Sequence, residues 1–262
     1  LHALGEEAPA EAAGADEAQP ALARAAARLQ GQGRLPLAGF GERLRAEVEA
    51  ALPDQLARHR ALCHAWPAPL NSPLPLALEH GGLQLEGWLG GLRRQGDRLV
   101  LIELQPGELL GKSGPKWHRT LRAFVAQAVA CACGIELRLY LVGEDATLHG
   151  APLARETARQ LVQGWLEALQ AGMTAPLPVA LKTAMAWLGE EDEGKAAQAA
   201  RKAYEGDGFG HNGERAESGA LARQYPDFDA LTADGHFAAW CERLYRPLLE
   251  HGPQPEPQEA SS

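Results

Sequence analysis

Glu103 and Gln105 stand two residues apart in the run LVLIELQPGE, Leu99 to Glu108, and so share one side of an extended strand. An acid, a spacer and a lysine at this spacing let a strand hold Mg²⁺ and cut a phosphodiester. That chemistry needs carboxylates on two strands, because Mg²⁺ takes hard oxygen ligands and surrenders its waters reluctantly. The metal then lowers the pKa of a bound water and neutralises charge on the phosphate. The lysine steadies the attacking water or the developing charge. Here Gln105 fills the lysine position. The first carboxylate belongs at the end of the preceding strand, where Gly87-Trp88-Leu89-Gly90 ends in glycine. Of the three degenerate positions, Gly90, Glu103 and Gln105, only Glu103 retains the required chemistry. One carboxylate binds Mg²⁺ weakly, so the set reads as a remnant with no catalytic residue and no metal or other cofactor. Asp97 is the nearest substitute acid, but it falls in a turn, off the strand face that Glu103 uses. An independent Mg²⁺- or Mn²⁺-dependent nuclease using Glu103 with an unorthodox second ligand is the alternative.

Other reactive schemes are weaker. The nine histidines contain no H-x-x-x-H pair, and no G-x-S-x-G occurs. Cys63 and His64 are sequence neighbours and point apart. The four cysteines contain no C-x2-C pair, which indicates free thiols rather than zinc or an iron–sulfur cluster. GDGFGHNG lacks the following Lys-Ser/Thr of a phosphate loop.

The elements that would position Glu103 are readable from periodicity. Phe40, Leu44, Val48, Leu52 and Leu56 predict a helix from about Gly39 to Cys63, kinked or divided at Pro53. A shorter helix is expected over Ala21–Leu29. Alternating leucines at 74, 76 and 78, then at 83, 85 and 89, predict two strands joined by His80-Gly81-Gly82. A turn at Gln95-Gly96-Asp97 leads into a third strand, Leu99–Leu104. Trp117, Leu121, Phe124, Val125, Ala128, Val129 and Ala132 form the apolar stripe of a helix, with Ser113 and Pro115 suited to its start. A fourth strand, Ile135–Val142, stops at Gly-Glu-Asp-Ala. Helices follow at Ala154–Ala171 (apolar face Leu161, Val162, Trp165, Leu166, Leu169), Leu181–Leu188 and Lys195–Tyr204. A last helical region is expected over Asp227–Glu250, burying Phe237, Trp240, Leu244 and Leu248.

Composition sets the remaining bounds. The 262 residues suffice for one large domain. Apolar residues are 45%, and no run approaches the ~20 needed to span a membrane. Residues 1–20 hold five acids and no Lys or Arg and are expected to be disordered. Residues 21–250 form the folded domain, and 251–262 a flexible tail. The start at Leu1, without an initiator methionine, suggests a piece of a longer polypeptide. A net charge of −9 argues against a free-standing DNA binder. Between residues 92 and 122, however, Arg93, Arg94, Arg98, Lys112, Lys116, Arg119 and Arg122 face only Asp97, Glu103 and Glu108. A solvated hairpin and helix face is one account of this stretch, and a local DNA contact is the other. Trp88 and Trp117 fit either core filling or a wedge between bases. Aromatic residues at only 6% make a stand-alone single-strand binder unattractive.

The order α-β-β-β-α-β predicts an α/β (α+β) fold, restriction-endonuclease-like and of the PD-(D/E)XK type, with a mixed central sheet and extra C-terminal helices. The stretches GRLPLAGFGE (33–42), LEGWL (85–89), AGMTAPLPV (171–179), AWL (186–188) and KAYEGD (202–207) occur in the order of a known family. The chain resembles the C-terminal domain of the gamma subunit of bacterial exodeoxyribonuclease V, the RecC family. In related nuclease domains the two site strands read approximately Gly-aromatic-Ile-Asp and Leu-Asp-Tyr-Lys, which again leaves Gly90 and Gln105 as departures. The resemblance implies a nuclease-like fold without nuclease activity in a cytoplasmic, ATP-dependent RecBCD helicase–nuclease. There it would scaffold the RecB and RecD subunits and help form the channel in which duplex DNA is split during recombinational repair.

Overall fold

The computed structural model describes residues 24, 27–29, 31–33, 39–112, 114–208 and 212–255. The expected N-terminal segment, most of the short helix at 21–29, Ser113, part of GDGFGHNG and the end of the tail lie outside the described residues. Helix α1 (Gly39–Ala65) is continuous across Pro53, so the expected division there does not occur. A proline removes one N–H from the helical ladder, and the surrounding turns carry the helix on.

Four strands of at least four residues, where three strands were expected, lie between α1 and the next long helix. They are β2 (Leu74–His80), β3 (Leu83–Leu89), β4 (Leu92–Gln95) and β5 (Arg98–Leu104), with a two-residue strand β1 (Ala68–Pro69) before them. The β2–β3 pair forms its own two-stranded sheet, closed by a turn in which Gly81 and Gly82 both have positive φ. That is the conformation two-residue hairpins demand. After β3 the chain breaks at Gly90 and Gly91, the latter at φ +71°, and β4 enters a different sheet. The alternation of leucines does not mark this transfer, because both sheets bury leucine on one face.

After two short strands, β6 (Leu110–Gly111) and β7 (Gly114–Pro115), come α2 (Trp117–Ala132), β8 (Leu137–Val142) and β9 (Thr147–Gly150). The helices α3 (Arg155–Thr174), α4 (Leu181–Leu188), α5 (Glu193–Glu205), α6 (Gly219–Gln224), α7 (Phe228–Thr232) and α8 (Phe237–His251) follow, and β10 (Gln254–Pro255) ends the described chain. The main sheet runs β1-β4-β5-β8-β9-β10. Only β5 and β8 are parallel, joined through α2; the other pairs are antiparallel. The predicted mixed α/β fold is therefore present. The ordered chain extends past the expected boundary at 250, since Gln254 and Pro255 pair with His149 and Leu148.

Two cores hold these layers. In the first, Leu137, Leu139 and Leu141 of β8 are fully buried against alanines 123, 128, 130 and 132 of α2, with the inward leucines of the β2–β3 ribbon packed on the same cluster. Small side chains let the helix approach closely, and each buried leucine contributes about 1.5–3 kcal/mol. The second core joins α4, α5, α7 and α8. Trp187, Phe237 and Phe228 stack edge to face at 5.5 and 5.6 Å, within the favoured range for aromatic pairs. The helical region expected over Asp227–Glu250 is divided between α7 and α8 at Gly235 (φ +74°). Leu169, expected on the buried face of α3, is 55% exposed, while the adjacent Ala168 is buried.

No disulfide joins any of the four cysteines. Burial pushes the Cys241 thiol up to about 12. Among the described residues no helix is long and apolar enough to cross a membrane.

Candidate functional site

Parallel neighbours β5 and β8 end side by side, with Glu103 opposite Leu141 and Leu104 opposite Val142. Gln105 N–H donates to the Val142 carbonyl at 2.9 Å and extends the pairing. Helix α1 locks this edge. Gln55, fully buried, donates from Nε2 to the carbonyls of Gln105 (2.8 Å) and Val142 (2.7 Å). One turn on, Arg58 donates to the carbonyls of Gly143 and Glu144. The turn after β8 in its own right holds the loop after β5: Glu144 accepts from Gly107 N–H, and the Asp145 carboxylate accepts from Leu109 and Leu110 N–H. Strand ends, loop and α1 thus form one hydrogen-bonded platform. No local pattern marks Gln55, Arg58, Glu144 or Asp145 for this role, since Gln55 reaches a partner 87 residues away.

Glu103 rises from this platform toward α2. Arg122 Nη2 donates to both carboxylate oxygens at 3.1 Å, and Gln105 Nε2 donates to Oε2 at 3.2 Å. The Glu103 side chain is 20% exposed and that of Arg122 81%. A guanidinium and an amide thus hydrogen-bond the carboxylate, with both oxygens engaged. Gly90 lies just off the end of the β4–β5 ladder, whose last pair is Leu92 with Leu101. Gly90 precedes the left-handed turn at Gly91 (φ +71°), two residues before that last pair. A Cβ at Gly90 would meet only Pro73, at an ordinary 3.7 Å. The position has room for a side chain and lacks one. Asp97, at the far end of β5, is six residues from Glu103, or about 20 Å along an extended strand. Among the described residues, no three His, Cys, Asp or Glu side chains come together as a metal-binding group.

The seven basic residues divide. Arg93 donates to the carbonyls of Trp66 (2.6 Å) and Pro67 (3.1 Å). Arg98 bonds Gln95 and lies over the Trp66 ring. Both fasten the β4–β5 hairpin to the end of α1. Arg94 is exposed on the same hairpin. Lys112, Lys116, Arg119 and Arg122 belong to the opposite end of β5. Lys116 pairs with Glu108 at 2.6 Å, Arg119 donates to the Pro106 carbonyl, and Lys112 is exposed. His118, between them, has its pKa held below the ordinary value, first by burial and then by the nearby cations Lys182 and Arg119. Lys182 is itself paired with Glu217.

The two candidate tryptophans also separate. Trp88 is 73% exposed on the outer face of the β2–β3 ribbon, opposite Pro75. Core filling therefore does not describe it. Trp117 is half-buried, and a Cβ on Gly252 would lie 2.9 Å from its ring, which places it against the end of α8.

The sequence profile of the RecC C-terminal domain matches residues 3–192. The RecBCD enzyme subunit RecC of Escherichia coli (strain K12) is 30% identical over 163 residues, which cover 62% of this chain and 13% of that protein. The matched profile takes in the whole Glu103 platform and ends before α5, so the Lys202–Asp207 stretch lies outside it.

Proposed function

The chain belongs to the RecC C-terminal domain family, and on that premise we propose that it is a non-catalytic, nuclease-like domain of a RecBCD-type helicase–nuclease. Its work is to scaffold the RecB and RecD subunits and to line the channel that receives a double-stranded DNA end. A cytoplasmic location belongs to the same reading. The observation that carries it is the state of Glu103: both oxygens of the one surviving acid are already engaged, by Arg122 and Gln105. Hydrolysis by a Mg²⁺-bound water needs open carboxylate oxygens from more than one residue, and neither Gly90 nor Gln105 supplies one.

Within the domain, the exposed Trp88 and the cations around the N-terminal turns of α2 are the candidates for DNA contact. Arg93 and Arg98 are assigned to structure instead, because their guanidinium groups are spent on Trp66 and its neighbours. The test is co-purification of the full-length protein with tagged RecB and RecD. Recovery of a stoichiometric complex supports the reading. A folded protein that fails to join both partners overturns it.

A further inference from the structure

Resting on the channel reading above, we propose that Glu103, Arg122 and Gln105 form a phosphate-contact site, in which Arg122 touches a DNA phosphodiester and the other two are positioning residues. Arg122 uses only Nη2 on Glu103. A guanidinium carries five N–H donors, and those on Nε and Nη1 meet no protein acceptor among the described residues. With its side chain 81% exposed, the group presents three free donors to solvent from a fixed anchor.

Stability does not account for this pairing. An exposed ion pair contributes little, while immobilising an arginine costs side-chain entropy. What the pair does provide is pre-orientation: a planar fork, matched to phosphate oxygens, that has already lost its freedom before DNA arrives. The base beneath it is rigid, since Gln105 is tied through its carbonyl to Gln55 and through its N–H to Val142. Arg119 stands one turn earlier on α2 with Lys116 beyond it, and of the nearby anions Glu108 is already engaged by Lys116.

The chemistry is that of a nuclease with one half removed. In a metal site, a cation bridges carboxylate and phosphate and also activates water. Here the bridging cation is a guanidinium, which holds a phosphate but generates no hydroxide. DNA is gripped at this point and left intact.

The experiment measures binding of a fluorescent blunt-ended duplex, without ATP, by the assembled complex across a salt series. Arg122→Gln is expected to weaken binding several-fold near 100 mM salt. It should also reduce the slope of log K against log[salt] by about one contact, or ~0.9. Glu103→Gln should weaken binding too, because the guanidinium loses its anchor. The double variant Glu103→Gln/Arg122→Gln leaves no unpaired carboxylate and should reproduce the slope of Arg122→Gln. The proposal is overturned if assembled Arg122→Gln and double-variant complexes keep the wild-type slope, or if Glu103→Gln binds more tightly than wild type. Loss of assembly by the wild-type protein would instead strike the scaffold reading, so the two failures are distinguishable.

Discussion

Both carboxylate oxygens of Glu103 lie 3.1 Å from one nitrogen, Nη2 of Arg122. The pair joins the end of β5 to the second turn of α2, and Gln105 completes the shell on the carboxylate. A cation therefore does stand where the chemistry of the strand calls for one, but it is built into the chain. A second cation at the carboxylate would meet the repulsion of this positive charge.

Metal uptake follows directly. Mn²⁺ titrated into the protein and followed by electron paramagnetic resonance should show no site that depends on Glu103. The Glu103→Gln variant should match wild type, because Arg122 already neutralises the carboxylate. A stoichiometric Mn²⁺ site lost in Glu103→Gln would contradict the assignment.

The platform beneath is structural and should show itself in stability. Gln55→Ala removes two hydrogen bonds and strands the Gln105 carbonyl, while the Val142 carbonyl keeps its bond from Gln105 N–H, at a cost of about 1–3 kcal/mol for the group left unsatisfied. Arg122→Ala removes only an exposed partner and should cost less than ~1 kcal/mol. Urea unfolding of the two variants tests the ordering, which reverses if the ion pair rather than α1 holds this edge.

The tryptophans make a second contrast. Trp88→Ala should leave the urea midpoint nearly unchanged, within about 0.5 kcal/mol, as for surface substitutions generally. Trp117→Ala opens the contact with α8 and should cost about 1–3 kcal/mol. Equal costs would show that Trp88 is packed rather than displayed.

His118 predicts a pH dependence of definite sign. Its folded-state pKa lies below the ordinary 6.5, chiefly through burial and then through Lys182 and Arg119. The unfolded chain therefore takes up the proton first as pH falls, and stability present above about 6.5 is lost toward the lower folded value. His118→Gln removes that contribution. Its urea midpoint should fall less than that of wild type between pH 7.5 and 5.5, and an identical fall in both proteins would refute the linkage.

Much of the fold was legible because it follows simple periods. The apolar stripe from Trp117 to Ala132 marked α2, although Pro115, expected at its start, falls in β7, and Leu181–Leu188 marked α4. The passage from β3 to β4 was not legible: a strand that changes sheets at two glycines keeps the same alternation on either side. At the site, the identities of residues 90, 103 and 105 carried the proposal that nuclease chemistry is missing. They did not disclose what replaced it. Arg122 lies 19 residues from Glu103 on another element, and from sequence it was one of seven cations in a stretch that the fold then divides between two ends of β5.

The most direct test of the central claim is cleavage. The purified protein is incubated with end-labelled duplex and single-stranded DNA in Mg²⁺ and in Mn²⁺, beside its Glu103→Ala variant. Uncut DNA in both samples is the predicted result. Metal-dependent cleavage by the wild-type protein that vanishes in Glu103→Ala would contradict it.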